Sequence, residues 1–267
     1  MSLLHPFYRN SLNFAKVLCK THCLKFQMKI GIMQPYFLPY LGYFQLMSAC
    51  DSFVVYDNIK FTKKGWINRN RMLLNGKDTM FSIPLKNDSD FLDIDQRFIG
   101  ENFDKEKAKI LGQIRAGYKN AVCFKEVFPV IEAIFNFPDR NLFRFLFHSI
   151  VVIKDYLNVH TPLVISSTVD ADHSLKGKYR VLEICKKLGG DVYINPIGGT
   201  ELYNKEEFGE NNIELYFHKM KPVNYDQNGH AFIHYLSILD VMMFNDKLAI
   251  AKLLPEFDLV QNGHPKT

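Results

Sequence analysis

The chain has 267 residues, 47% hydrophobic and 23% charged, enough to bury a sizeable core in one large domain or two small ones. Its formal charge of +5 is not a nucleic-acid signature. Arg9, Lys16, Lys20 and Lys25 fall within residues 1–27, which hold no acidic residue, so the rest is nearly neutral and lacks the broad cationic excess that phosphate-backbone binding requires.

Five cysteines, an odd number in a chain this long, argue against a disulfide framework and for reduced thiols in a cytoplasm. No apolar run reaches the roughly 18 residues of a spanning helix, so no membrane span is expected.

Residues 1–27 read as a disordered or spurious extension, because they have neither a continuous apolar stretch nor a cleavage signal. Cys19, His22 and Cys23 lack a fourth metal ligand. The domain proper is expected over 28–267. It opens with an apolar strand at Gly31–Met33, a loop stiffened by Pro35 and Pro39, and a helix over Tyr40–Ala49 with Leu41 and Phe44 on one face.

Asp51–Tyr56 alternates as a second strand, completing a βαβ unit whose strands should be parallel. Strands around Arg71–Leu74 and Met80–Leu85 flank the hairpin signal Asn75-Gly76. Residues 103–157 read as a helical insertion in the middle of the chain. Further strands are expected at Pro162–Ser166, Val192–Ile194 and Ile213–Phe217. Helices are expected at Tyr179–Leu188, from Glu201, at Leu236–Phe244 and at Lys247–Leu254. This alternation predicts an α/β fold with a mostly parallel, Rossmann-like sheet.

Ligands of such sheets bind beyond the carboxyl ends of the strands, which singles out three segments. The first, Gln34 to Phe44, puts an amide at a strand end and Gly42 in the first helical turn. Tyr36, Tyr40 and Tyr43 stand beside them as substrate contacts. The second runs from Asp57 to Arg71, where five cations surround the only Trp. Lys63, Lys64 and Arg69 suit a phosphate or carboxylate, and Trp66 suits a ring. Asn68 and Asn70 alternate with Arg69 and Arg71 on opposite faces of a strand.

The third joins Lys178 and Arg180, after Gly177, with Asn195, Gly198 and Gly199. Glycine-bearing helix starts accept anions through backbone N–H groups. The histidines show no metal-binding spacing, and no metal site is expected.

With these residues in view, the chain resembles the WbqC-like family of bacteria. The likeness runs through Gly31–Phe44, Tyr56-Asp57, Trp66–Asn70, Ile83-Pro84, Arg180, Ile184–Lys186, Tyr193–Tyr203 and Leu236–Asn245. It implies a role in surface-polysaccharide (O-antigen) biosynthesis, as a transferase of glycine or another aminoacyl or acyl group to an amino-sugar nucleotide. The partners implied are a sugar nucleotide, an activated acyl or aminoacyl donor and an acyl or aminoacyl carrier protein; no cofactor is assigned. Gln34 is then expected to orient the substrate and Asp57 to act as the base. Two other classes stand beside this one. One is a nucleotidyltransferase-like enzyme, with Tyr40-Leu41-Gly42-Tyr43 where that group carries a histidine-glycine-histidine signature. The other is a sugar-nucleotide-binding subunit without turnover.

Overall fold

A computed structural model describes residues 27–261; the segment preceding them, with Cys19, His22 and Cys23, lies outside the described residues. The chain opens with β1 (Lys29–Met33), α1 (Leu41–Ser48) and β2 (Ser52–Val55). The hairpin β3 (Arg69–Leu74) and β4 (Lys77–Ser82) follows, then α2 (Phe103–Tyr118), α3 (Phe124–Phe135) and α4 (Leu142–Tyr156). The chain returns through β5 (Leu163–Ile165), α5 (Gly177–Lys187), β6 (Val192–Pro196), α6 (Lys205–Glu210) and β7 (Glu214–Met220). It closes with α7 (Ile238–Phe244), α8 (Lys247–Leu253) and β8 (Phe257–Val260).

The main sheet has the order β5-β2-β1-β6-β7-β8, parallel except for the antiparallel pairing of β8 with β7. From β1 the chain winds outward through β2 to β5, then crosses back to β6 and winds outward to β7. The strand order therefore reverses between β1 and β6, the switch point at which doubly wound sheets bind ligands.

Strand alternation divides the core between the two faces. Val55, Val192 and Ile194 pack with α1, the α2–α4 insertion and α7. Ile30, Ile32, Val54 and Tyr193 pack with Val181, Leu182 and Cys185 of α5 and Phe208 of α6. The sheet is thus buried on both faces, which explains why its strands read as short apolar runs.

Two expectations need correction. The helix expected from Glu201 starts at Lys205, because the Asn204 side chain accepts hydrogen bonds from the backbone N–H groups of Glu206 and Glu207 and so caps it there. The edge strand β8 is an addition: Phe257, Asp258, Leu259 and Val260 are only four residues, none of them buried, and show no alternation that would set them apart from a coil. The hairpin forms as its turn signal implies, with Asn75 at φ 52° and Gly76 at φ 71°.

Candidate functional site

A cleft of about 340 Å³ opens at the switch point, lined by Tyr36, Pro39, Tyr40, Trp66, Ile197 and Tyr235 over a floor of Asn70 and Arg71. Four elements converge on it: the loop after β1, the end of β6, the hairpin, and the connection between β7 and α7.

The loop after β1 is held open by named hydrogen bonds. Leu38 adopts φ 44°, a left-handed conformation disfavoured in a branched side chain. The Asn70 amide donates to the carbonyls of Phe37 (3.1 Å) and Leu38 (2.7 Å), and Ser237 Oγ donates to the latter at 2.7 Å. Phe37 N–H donates to Ile67 O at 2.9 Å, and Ile238 N–H to Pro39 O at 2.8 Å. Phe37 itself is fully buried among Phe81, Phe135 and Phe145. The loop is therefore anchored at its centre, and Tyr36 and Tyr40 project from either side of the anchor. Gly42 makes room for this, since a Cβ there would stand 2.3 Å from the Tyr40 ring.

On the opposite side Trp66 is 42% exposed and free to meet a ligand rather than pinned in the core. Arg69 and Arg71 flank it, their guanidinium carbons 5.8 and 5.9 Å from its ring. Arg71 Nη1 pairs with Asp78 at 2.8 Å, its Nη2 reaches the carbonyls of His234 and Tyr235, and its Nε has no partner. It thereby ties the β7–α7 connection to the hairpin and brings Tyr235, at φ 57°, across from Tyr40, with ring centroids 6.4 Å apart. Burial raises the Tyr36 phenol and pushes Tyr40 up to about 12, with Tyr36 and Tyr235 adding to the latter shift. Both are neutral donors at physiological pH.

The sequence-selected residues fall into two groups. Tyr36, Tyr40, Trp66 and Asn70 meet at the cleft, and Gln34 adjoins it, with the Tyr36 hydroxyl 3.5 Å from its Oε1. Asn70, though, spends its amide on the fold, and its Oδ1 accepts from the Arg71 N–H at 2.8 Å. Asn68 likewise donates to Ile83 O at 2.8 Å. Arg69 turns back on its own loop, bonding Gly65 O (2.9 Å) and Lys64 O (2.5 Å). Lys63 pairs with Asp90 on the surface at 2.7 Å, and neither it nor the exposed Lys64 lines the cleft. Tyr43 is fully buried against Phe44 and Phe53.

Asp57, two residues beyond the end of β2, is 3% exposed, and its carboxylate accepts hydrogen bonds from Ser166 Oγ (2.6 Å), Ser167 N–H (2.9 Å) and Ser167 Oγ (2.5 Å). Asn195 accepts from Tyr193 OH at 2.9 Å and donates to Pro196 O at 3.0 Å. Gly199 packs so closely on it that a Cβ would stand 1.9 Å from the amide nitrogen. Gly198 faces open space. Lys178 forms an ion pair with Glu207 and lines a separate, open polar depression between α5 and α6. Arg180 is buried over Tyr56, away from the lining of the cleft.

Pro39, Arg71, Ile197 and Tyr235 line the cleft without having been chosen as site residues from the sequence. Arg71 stood within the basic run and could have been chosen by its alternation with Asn70, but Tyr235 carries no local signal. It comes from about 160 residues along the chain and is brought in by tertiary contacts alone.

Fold and cleft together define a doubly wound α/β protein with an aromatic cleft at its switch point. The chain matches the model of the WbqC-like protein family over residues 34–252 and belongs to that family. It is also similar to the uncharacterized protein Rv1507c of Mycobacterium tuberculosis (strain ATCC 25618 / H37Rv), at 24% identity over 219 residues, which cover 81% of this chain and 93% of that relative. No solved structure matches the chain. Among the described residues, no helix is long and apolar enough to cross a membrane.

Proposed function

We propose that the protein binds an amino-sugar nucleotide in the aromatic cleft and transfers to its amine a glycyl or other aminoacyl or acyl group, in surface-polysaccharide (O-antigen) synthesis. One observation carries the binding half: Tyr36, Tyr40, Trp66 and Tyr235 wall a single cleft at the switch point. Aromatic walls with neutral phenol donors suit the nucleoside of such a ligand, whose flat base stacks and whose ribose hydroxyls accept hydrogen bonds. The transfer half rests on the family resemblance. In that step the acceptor nitrogen attacks the donor carbonyl, a C–N bond forms, and the donor's thioester or ester bond breaks. The proton of the amine leaves with the thiol or alcohol released. A carrier protein of the cytoplasm is the partner this chemistry would call for.

Gln34, at the edge of the cleft, is given the task of orienting the polar substrate. Asp57 was the candidate base, but three donors already hold its carboxylate. In this proposal it fixes the ends of β2 and β5 against each other. The same shortage of uncommitted polar groups favours a second reading, a sugar-nucleotide-binding module without turnover.

Calorimetric titration with UDP- and dTDP-linked amino sugars, followed by Trp66 fluorescence, tests the binding. Trp66→Phe should weaken binding about twofold to fivefold, as part of a stacking contact worth about 1 kcal/mol is lost. Tyr235→Ala should weaken it further. Wild-type binding that both variants leave unchanged would refute the cleft assignment. Addition of a glycyl thioester and mass analysis of the sugar nucleotide then separates transferase from binding module.

A further inference from the structure

Arg180 is a buried cation without an anion. It retains 9% exposure on the first turns of α5 and lies over the Tyr56 ring, its guanidinium carbon 5.1 Å from the centroid. Its Nη2 donates to His173 Nδ1 at 3.1 Å, and its Nε has no partner. His173 Nε2 lies 3.0 Å from the carbonyl of Val169, so that nitrogen carries the proton. Nδ1 is then the lone-pair side, and it receives both Arg180 and the Asn58 amide at 3.1 Å. The imidazole therefore aims the guanidinium without neutralising it.

The nearest acids are already engaged. Asp57 and Asp93 are close enough to act on the Tyr56 phenol. Asp57 is taken up by Ser166 and Ser167, however, and Asp93 by the capping box it forms with Gln96. A guanidinium removed from water without a counter-ion is strongly unfavourable unless something anionic completes it. The start of α5 adds to the same field. Its N-cap residue, Lys176, makes no side-chain cap, and its first turn holds no acid, so backbone N–H groups remain to be satisfied.

The position relative to the cleft gives the ligand its shape. Tyr56 N–H donates to Met33 O at 2.8 Å, which puts Arg180 over the adjoining ends of β2 and β1. The cleft begins at the neighbouring ends of β1 and β6, with Tyr36 and Ile197. Those two pairs of ends share β1 and stand one strand spacing, about 4.8 Å, apart along the edge of the sheet, so one ligand can reach both.

We propose that Arg180, aimed by His173 and supported by the uncapped start of α5, is the subsite for the phosphate or diphosphate of the ligand whose ring occupies the aromatic cleft. This assignment rests on the cleft reading above but is separable from it. The test is calorimetry of the wild type, Arg180→Lys, Arg180→Met and Trp66→Phe with uridine, UDP and inorganic pyrophosphate. Pyrophosphate should bind the wild type on its own, about tenfold or more weaker to Arg180→Met and severalfold weaker to Arg180→Lys. Uridine should be unaffected by both and weakened by Trp66→Phe.

Pyrophosphate binding that survives in the Arg180 variants, or is missing in the wild type while uridine binds, overturns the subsite and leaves the cleft standing. Pyrophosphate binding through Arg180 without uridine binding does the reverse. If Arg180→Met does not fold, the wild type decides the matter by crystallography with pyrophosphate. A phosphate oxygen in hydrogen-bonding distance of the Arg180 guanidinium supports the subsite, and density elsewhere or none overturns it.

Discussion

Asn70→Ala should cost stability before it costs any particular ligand contact, although Asn70 lines the cleft. The residue is 6% exposed, and all its polar atoms are committed to the backbone. Its amide nitrogen serves two carbonyls, and its oxygen serves the Arg71 N–H. Leu38 O keeps a second donor, Ser237 Oγ, so truncation orphans chiefly Phe37 O and the Arg71 N–H. Leaving a buried backbone group unsatisfied costs about 1–3 kcal/mol, so the pair should cost about 2–6 kcal/mol. Release of the left-handed Leu38 would refund part of it. In a domain of this size each kcal/mol moves Tm by about 2–4 °C, predicting a fall of about 5–15 °C. Asn70→Asp should be at least as harmful at neutral pH, because it sets a carboxylate against two carbonyl oxygens. Its penalty should shrink as the pH falls and the acid is protonated. Thermal unfolding followed by circular dichroism measures both. A Tm within 2 °C of wild type for Asn70→Ala, with ligand affinity lost, would show that the amide serves the ligand instead.

Further expectations concern α2, α7 and the sheet. Gly112→Ala should raise stability by about 0.5–1 kcal/mol, since a Cβ there meets nothing within 4 Å and glycine is a poor helix former. Gly117→Ala, one and a half turns later, should lower it, because its Cβ would stand 2.5 Å from the Leu73 carbonyl; denaturant midpoints compare the two. Asp240 accepts from Tyr118 OH (2.9 Å), Tyr225 OH (2.8 Å) and Gln227 Nε2 (2.7 Å), so Asp240→Asn should strand one buried donor and cost about 1–3 kcal/mol. A loss of ligand binding at unchanged Tm would move Asp240 into the site. Burial lowers the His218 imidazole from 6.5 to about 4, so its neutral form stabilises the fold above pH 6.5 and that contribution is lost as pH falls towards 4. Replacing it by Phe beside Phe257 should flatten the loss of stability between pH 7 and 5, and an unchanged slope would refute the assignment.

Most of the architecture was legible because it rests on local patterns. The helical insertion appears over Phe103–Tyr118, Phe124–Phe135 and Leu142–Tyr156, where periodic apolar positions mark one face of each helix. The parallel β1–α1–β2 unit follows from two short strands and a helix too close together for another connection. Asp240 lies in the first turn of α7 behind the cap Ser237, the place where a sequence favours a carboxylate. The Asp240 contacts themselves were not legible. Tyr118 reaches Asp240 across 122 residues, and its oxygen also accepts the Leu73 N–H at 2.7 Å, joining α2, β3 and α7 through one phenol.

The site shows the same division at higher cost. Cation count pointed to Lys63, Lys64 and Arg69, yet composition does not say where a long side chain ends. Lys63 finds Asp90, and Arg69 finds the carbonyls of its own loop. The cations that matter to the interior are those whose charge the fold leaves incompletely answered, and that property exists only after folding. Arg71 is half answered by Asp78, and Arg180 is answered by no carboxylate at all. Aromatic residues behave differently, because a ring at a strand end or in a strained loop has few ways to bury itself. Tyr36, Tyr40 and Trp66 accordingly line the cleft. Their fourth wall, Tyr235, is there because Arg71 holds the His234 and Tyr235 carbonyls and Ser237 N–H holds Arg71 O at 2.9 Å. The hairpin thus serves as the lever that carries a distant segment to the switch point, and the aromatic site depends on it as much as on the parallel sheet.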